Sequence, residues 1–142
     1  MPKKKVFIDS SVLIRGFIYE GSNSSVIFNL IVQDELKGII NSKVVIETLN
    51  VLKTLLDKDS FSLALSLIHS LFEIIPLAKY EDKMKLLRNQ IKEKDLEHLA
   101  TVRALELKYL IAFDRDFNDV KEYITPKEFL QSEGIQAYET EF

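Results

Sequence analysis

Two rhythms of apolar and polar residues alternate along the chain. Val6 to Asp9 is a short apolar run closed by an acid, the pattern of a strand buried on both faces. The following SSVLIRGFIYE carries apolar residues at helical spacing behind serines able to cap, so the join is a strand-to-helix turn. SNSSVIFNLIVQDELKG predicts a second helix, opened by Ser or Asn and stopped by Gly38. GIINS is a short strand, with Ser42 as the cap of a third helix over KVVIETLNVLKTLLD. Residues 59–72 form an amphipathic helix through Phe61, Leu65, Ile68 and Phe72, separated from the third only by the charged turn DKD.

The second half repeats the alternation. EIIPL is a strand or extended link ended by Pro76. EDKMKLLRNQI and KDLEHLATVRALELK are helical by spacing, and the strand YLIAF follows. YITPKEFLQSEG predicts a short strand, then a last helix with Pro126 in its first turn and Gly134 at its end. Strands alternating with helices define an α/β class built on a mostly parallel sheet. With no repeat, low-complexity tract or linker, residues 1–142 are expected to form one domain.

Composition narrows the chemistry. At 142 residues, 46% hydrophobic and 29% charged, the chain has enough apolar material for a substantial core. Charged or amide residues interrupt every apolar run well before the roughly 20 residues of a membrane span. The basic MPKKK start is not followed by a signal core, so a soluble, cytoplasmic protein is expected. The absence of cysteine excludes disulfides, thiolate metal sites and cysteine nucleophiles, and two histidines make a His-rich zinc site a poor fit. Any metal would be held by oxygen, which favours Mg²⁺, Mn²⁺ or Ca²⁺. No phosphate-binding glycine motif and no G-x-S-x-G elbow for Ser10 or Ser11 is present.

The acids carry the remaining signal. Asp9 and Asp114 each close a predicted strand, and in open parallel sheets ligands bind beyond the carboxyl ends of the strands. Glu47 interrupts the apolar VVIETLNVL on a core-facing helix and needs a partner there. Asp95 opens a helix, where the macrodipole favours an anion. Asp116 points to the same side as Asp114 if the chain stays extended. Read alone, each has a plainer role: Asp9 as a turn former, Asp95 as an N-cap, Asp116 as a turn cap, Glu47 as a partner of Lys43 or Lys53. His98 reads as a surface or partly buried polar residue. The combination of the acids, more than any one of them, points to a site.

Taken together, VFIDSSVLI, VVIETLNVL, KDLEHLATVRAL and LIAFDRDF resemble the PIN-domain family, and among its branches the VapC-like toxins, with TPKEFL resembling the family's usual close. The resemblance runs over nearly the whole chain. It implies a three-layer α/β/α sandwich around a parallel sheet of about five short strands, and a Mg²⁺- or Mn²⁺-dependent endoribonuclease leaving a 5′ phosphate and a 3′ hydroxyl. By position, Asp9, Glu47, Asp95 and Asp114 fall on the family's acidic quartet, Asp116 on a further acid, and Ser11 on a small polar residue that hydrogen-bonds the metal site. It also implies an antitoxin partner and a homodimer. Ala112 and Phe113 depart from the pattern, since many members carry Ser or Thr one or two positions before the late Asp.

The net charge of −3 bears on the RNA expectation. Setting aside the five site acids leaves 17 acids against 19 basic residues, so the rest of the chain is compatible with a polyanion. Arg15, a helical turn beyond Asp9, and Arg115, between two site acids, are the candidate phosphate contacts, or else solvated charges. Three alternatives stand beside the toxin reading. One is a housekeeping RNA-processing nuclease, another a catalytically weak scaffold that binds RNA or protein. A receiver-like phosphoacceptor is disfavoured, because DSS has no second acid two positions after Asp9.

Overall fold

The computed structural model describes residues 3–139, so Met1 and Pro2 of the basic start lie outside the described residues. Five strands form one sheet: β1 (Lys5–Ile8), β2 (Lys37–Asn41), β3 (Glu73–Ile75), β4 (Leu110–Ile111) and β5 (Tyr123–Ile124). Their order is β3-β2-β1-β4-β5, and every neighbouring pair is parallel. Val6, Phe7, Ile8, Ile39, Ile40, Leu110 and Ile111 are at most 2% exposed, as expected of strands covered on both faces.

The helices are α1 (Ser10–Ile18), α2 (Asn23–Val32), α3 (Ser42–Leu55), α4 (Lys58–Leu71), α5 (Glu81–Leu87), α6 (Glu93–Ala104) and α7 (Pro126–Ser132). The chain first steps outward from β1 to β2 to β3, then returns past β1 to β4. Right-handed crossovers therefore put α1 to α4 on one face of the sheet and α5 and α6 on the other. The packing agrees: α1 contacts α2 and α3, α2 contacts α7, and α5 pairs with α6. This is the three-layer sandwich. Among the described residues no helix is long and apolar enough to cross a membrane.

Several local expectations change. Gly38 does not stop α2, which ends at Val32 through Asp34 at φ 63°. Instead Gly38 lies inside β2, where a Cβ would come within 2.7 Å of the Phe72 ring and 2.9 Å of Ile31. Its smallness serves packing, not chain reversal. The α3 cap is Asn41, whose side chain accepts from Val44 N at 2.9 Å, so Ser42 is already helical. The helix expected over 81–91 stops at Leu87, and Asn89 at φ 74° turns the chain into a bridge between Arg88 and Ile91. Pro126 and Gly134 act as expected, the first in the opening turn of α7 and the second at φ 71° beyond its end.

Candidate functional site

The topology puts one crevice ahead of the others. Crossovers leave β1 toward β2 on one side and reach β4 on the other, so the strand order switches direction between β1 and β4. The ends of these two strands are the position where an open parallel sheet receives a ligand. Asp9 follows β1, and its backbone N–H donates to Ile111 O at 3.0 Å, which locks it to the end of β4. Three residues beyond Ile111 stands Asp114. The ends of β1 and β4 thus form a single edge carrying acids from two neighbouring strands.

Asp9 is also the N-cap of α1, accepting from Ser11 N at 3.2 Å and from Ser11 Oγ. The turn-former role and the cleft position are not alternatives: Oδ2 caps the helix while Oδ1 lies 3.5 Å from His98 Nε2. Asp114 behaves similarly, accepting Asp116 N at 2.9 Å and starting a 3-10 turn over Arg115–Phe117. Asp116 therefore reaches the cluster by a tight turn, not by the extended chain anticipated for it.

Asp95 is the third residue of α6 and makes no cap. It is 5% exposed, and its Oδ2 is fully buried without a hydrogen-bond partner. One ligand oxygen each from Asp95, Asp114 and Asp116 lies within 4.8 Å of the others. Burial first, then the charge of Asp114, pushes the Asp95 carboxyl up to about 6. Two lysines offset part of this repulsion: Lys94 Nζ lies 3.4 Å from Asp114 and 3.1 Å from Asp116, and Lys92 Nζ 3.0 Å from Asp116. Hydrogen bonds from Lys92 and Lys94 hold Asp116 below its ordinary value, and the same acids raise Lys94.

Across the cleft, Glu47 on α3 has a different environment. Neither expected lysine is its hydrogen-bond partner, and Lys43 donates to the Lys94 carbonyl instead. Glu47 Oε1 takes hydrogen bonds from Ser10 Oγ at 3.2 Å and His98 Nε2 at 3.0 Å. Burial pushes this carboxyl up, but His98, with Ser10 and Lys43, outweighs it and holds Glu47 below the ordinary range. His98 is the residue the sequence reading placed wrongly. It is 2% exposed, its ring tilted at 42° to that of Phe7 with centroids 5.4 Å apart. Its place at i+3 from Asp95, on the same face of α6, was the available signal. Asn41 was not picked out either: beyond capping α3 it donates to Thr101 Oγ1 at 2.9 Å on α6.

Asp9, Ser10, Ser11, Glu47, Lys94, Asp95, His98, Phe113 and Asp114 line one cleft of about 350 Å³. Asp116 and Lys92 border a second hollow of about 560 Å³, floored by Leu87, Ile91, Leu99 and Val120. Ala112 is fully buried and Phe113 lines the cleft, so no hydroxyl approaches from that segment. Arg115 is exposed beside Asp114, whereas the Arg15 guanidinium lies 4.7 Å from the Tyr19 ring centroid, turned to a cation–π contact.

The donor set tests whether a metal fits. Hard divalent cations take carboxylate oxygens, and here three oxygens converge with one buried and unpartnered. A buried acceptor of that kind costs about 1–3 kcal/mol unless something fills it. The residues fit an oxygen-ligated cation.

The comparisons with known proteins agree with this geometry. A chain of a toxin-antitoxin complex from Klebsiella pneumoniae has the same fold, at 22% identity and TM-score 0.67, over 87% of this chain and 98% of that one. A chain of VapBC2 from Rickettsia felis, solved bound to a DNA fragment from its promoter, matches at 18% identity and TM-score 0.66, over 85% and 96%. VapC20 of Mycobacterium tuberculosis, a sarcin-ricin loop cleaving toxin, matches at 18% identity and TM-score 0.60, over 80% and 93%. No curated protein matches by sequence. The model of the PIN-domain family, however, matches residues 6–123, a stretch that runs from β1 through the acids of the cleft to β5. On that match, the chain belongs to the PIN-domain family.

Proposed function

We propose that the protein is a Mg²⁺- or Mn²⁺-dependent endoribonuclease acting as the toxin of a toxin-antitoxin pair in the cytoplasm. The observation that carries this reading is the buried, unpartnered Asp95 Oδ2 beside Asp114 and Asp116 at the switch point of the sheet. Asp95, Asp114 and Asp116 would hold the cation from one wall, and Asp9 and Glu47, lining the same cleft, would complete its carboxylate ligands from the other. When bound, it supplies a Lewis acid that activates water and offsets charge on the phosphoryl group. Ser11 orients Asp9 by hydrogen-bonding its Oδ2. Arg115, exposed at the rim, is the phosphate contact favoured over Arg15. The neighbouring folds from toxin-antitoxin complexes support an antitoxin partner, and a homodimer is part of the same proposal.

A second reading draws on Lys94. Its ammonium already lies among the acids, so a scaffold that binds RNA or a protein without cutting would need no metal. One assay separates the two. Purified protein with Mn²⁺ should cut RNA to leave 5′ phosphates and 3′ hydroxyls, and Asp9→Asn should abolish it. Cutting that needs no metal and survives Asp9→Asn would overturn the nuclease site, and wild-type protein that binds RNA without cutting would favour the scaffold.

A further inference from the structure

We propose that His98, oriented by Asn41, is a positioning residue that presents Glu47 to the cleft; this rests on the nuclease reading above. The chain of contacts starts at the end of β2. Asn41 Oδ1 accepts from Val44 N at 2.9 Å, which fixes the amide so that Nδ2 faces α6. There Nδ2 lies 2.9 Å from Thr101 Oγ1, 3.3 Å from Glu97 O and 3.3 Å from His98 Nδ1. Thr101 spends its own proton on Glu97 O at 2.8 Å, so it receives from Asn41.

An amide NH₂ only donates, so the ring nitrogen opposite it is the one carrying the lone pair. The imidazole proton therefore sits on Nε2. That N–H reaches Glu47 Oε1 at 3.0 Å and lies 3.5 Å from Asp9 Oδ1. Ser10 donates to the same Oε1, so both donors hold one oxygen and leave Oε2 without a donor among the described residues. A Glu side chain 36% exposed has room to swing into solvent. An imidazole 2% exposed, packed on Phe7 and latched by Asn41, does not move with it. His98 thus holds a carboxylate on α3 beside the one following β1, through a rigid group on α6. Groups that hydrogen-bond the ligand carboxylates of a metal site govern affinity through such orientation.

The test compares wild type with His98→Phe, which keeps the ring and removes both nitrogens, and His98→Gln, which restores an amide donor. Mn²⁺ affinity by calorimetry should weaken about 10–100-fold in His98→Phe, with RNA cleavage falling in parallel, and recover in His98→Gln. In a Glu47→Gln background, His98→Phe should add little, since the two act as one unit. A long-range ¹H–¹⁵N spectrum of the wild-type protein should show the proton on Nε2, a readout that stands even where a variant fails to fold. Wild-type Mn²⁺ affinity in folded His98→Phe, a ring proton on Nδ1, or a loss that persists undiminished beside Glu47→Gln would each overturn the proposal. Wild-type protein that leaves RNA intact would sink the nuclease reading, while the affinities and the ring spectrum would still decide this one.

Discussion

Glu47 and Asp95 are carboxylates on two helices facing one cleft, yet Glu47 is held below its ordinary range and Asp95 is pushed up to about 6. On the Glu47 wall, buried donors were folded into place: Ser10, His98 and, behind them, Asn41. On the Asp95 wall three acids crowd together, one oxygen has no partner, and the offsetting charges are lysines whose side chains are 61% and 65% exposed. One wall is complete within the chain. The other is offset only by lysines at the rim, an arrangement whose buried oxygen and clustered carboxylates fit an oxygen-ligated cation.

Metal should erase most of this asymmetry. At about 100 times its Kd, Mn²⁺ should stabilise the protein by about 2.7 kcal/mol, a rise of several degrees in melting temperature, and Asp114→Asn should remove the shift. Absence of any shift in the wild type at millimolar Mn²⁺ would leave the two walls different for no functional reason.

Asp95→Asn should act in the opposite sense on the metal-free protein. A carboxyl raised from 3.8 to about 6 is neutral in both folded and unfolded chains at low pH. Its cost to the fold grows as pH rises between those values and is constant above them. The substitution should therefore stabilise the protein at pH 7 by about 1–2 kcal/mol, after allowing for solvent access to the cleft, and by almost nothing near pH 4. Thermal melts at the two pH values check this, and equal gains at both would show that Asp95 is not the strained acid.

Lys94→Met should have the smallest effect on the fold and a diagnostic one on binding. Removing the ammonium beside Asp114 and Asp116 should leave the melting temperature nearly unchanged and raise Mn²⁺ affinity several-fold, measured by titration. An affinity that falls would mean that Lys94 helps to build the site instead of standing in for its cation.

The Glu47 wall was the harder one to read from sequence. Asp9 and Asp114 were legible because an apolar run ending on an acid says where a buried strand ends, and parallel topology says which edge that is. Glu47 was legible as an acid needing a partner, but helical spacing only sets His98, 51 residues away, on the Asp95 face of α6 and does not pair it with Glu47. Gly38 shows the same limit in miniature: its spacing reads as a helix stop, and only the Phe72 ring above β2 explains it.

By itself, then, the sequence determined the order of strands and helices, the parallel class and the edge on which the acids gather, because these follow from periodicity and chain direction, which are local properties. Tertiary packing alone decided how each acid is satisfied. Whether a carboxylate meets His98, a lysine or nothing depends on how α3 and α6 stand against each other, and desolvation is a property of the assembled surroundings and not of the residue.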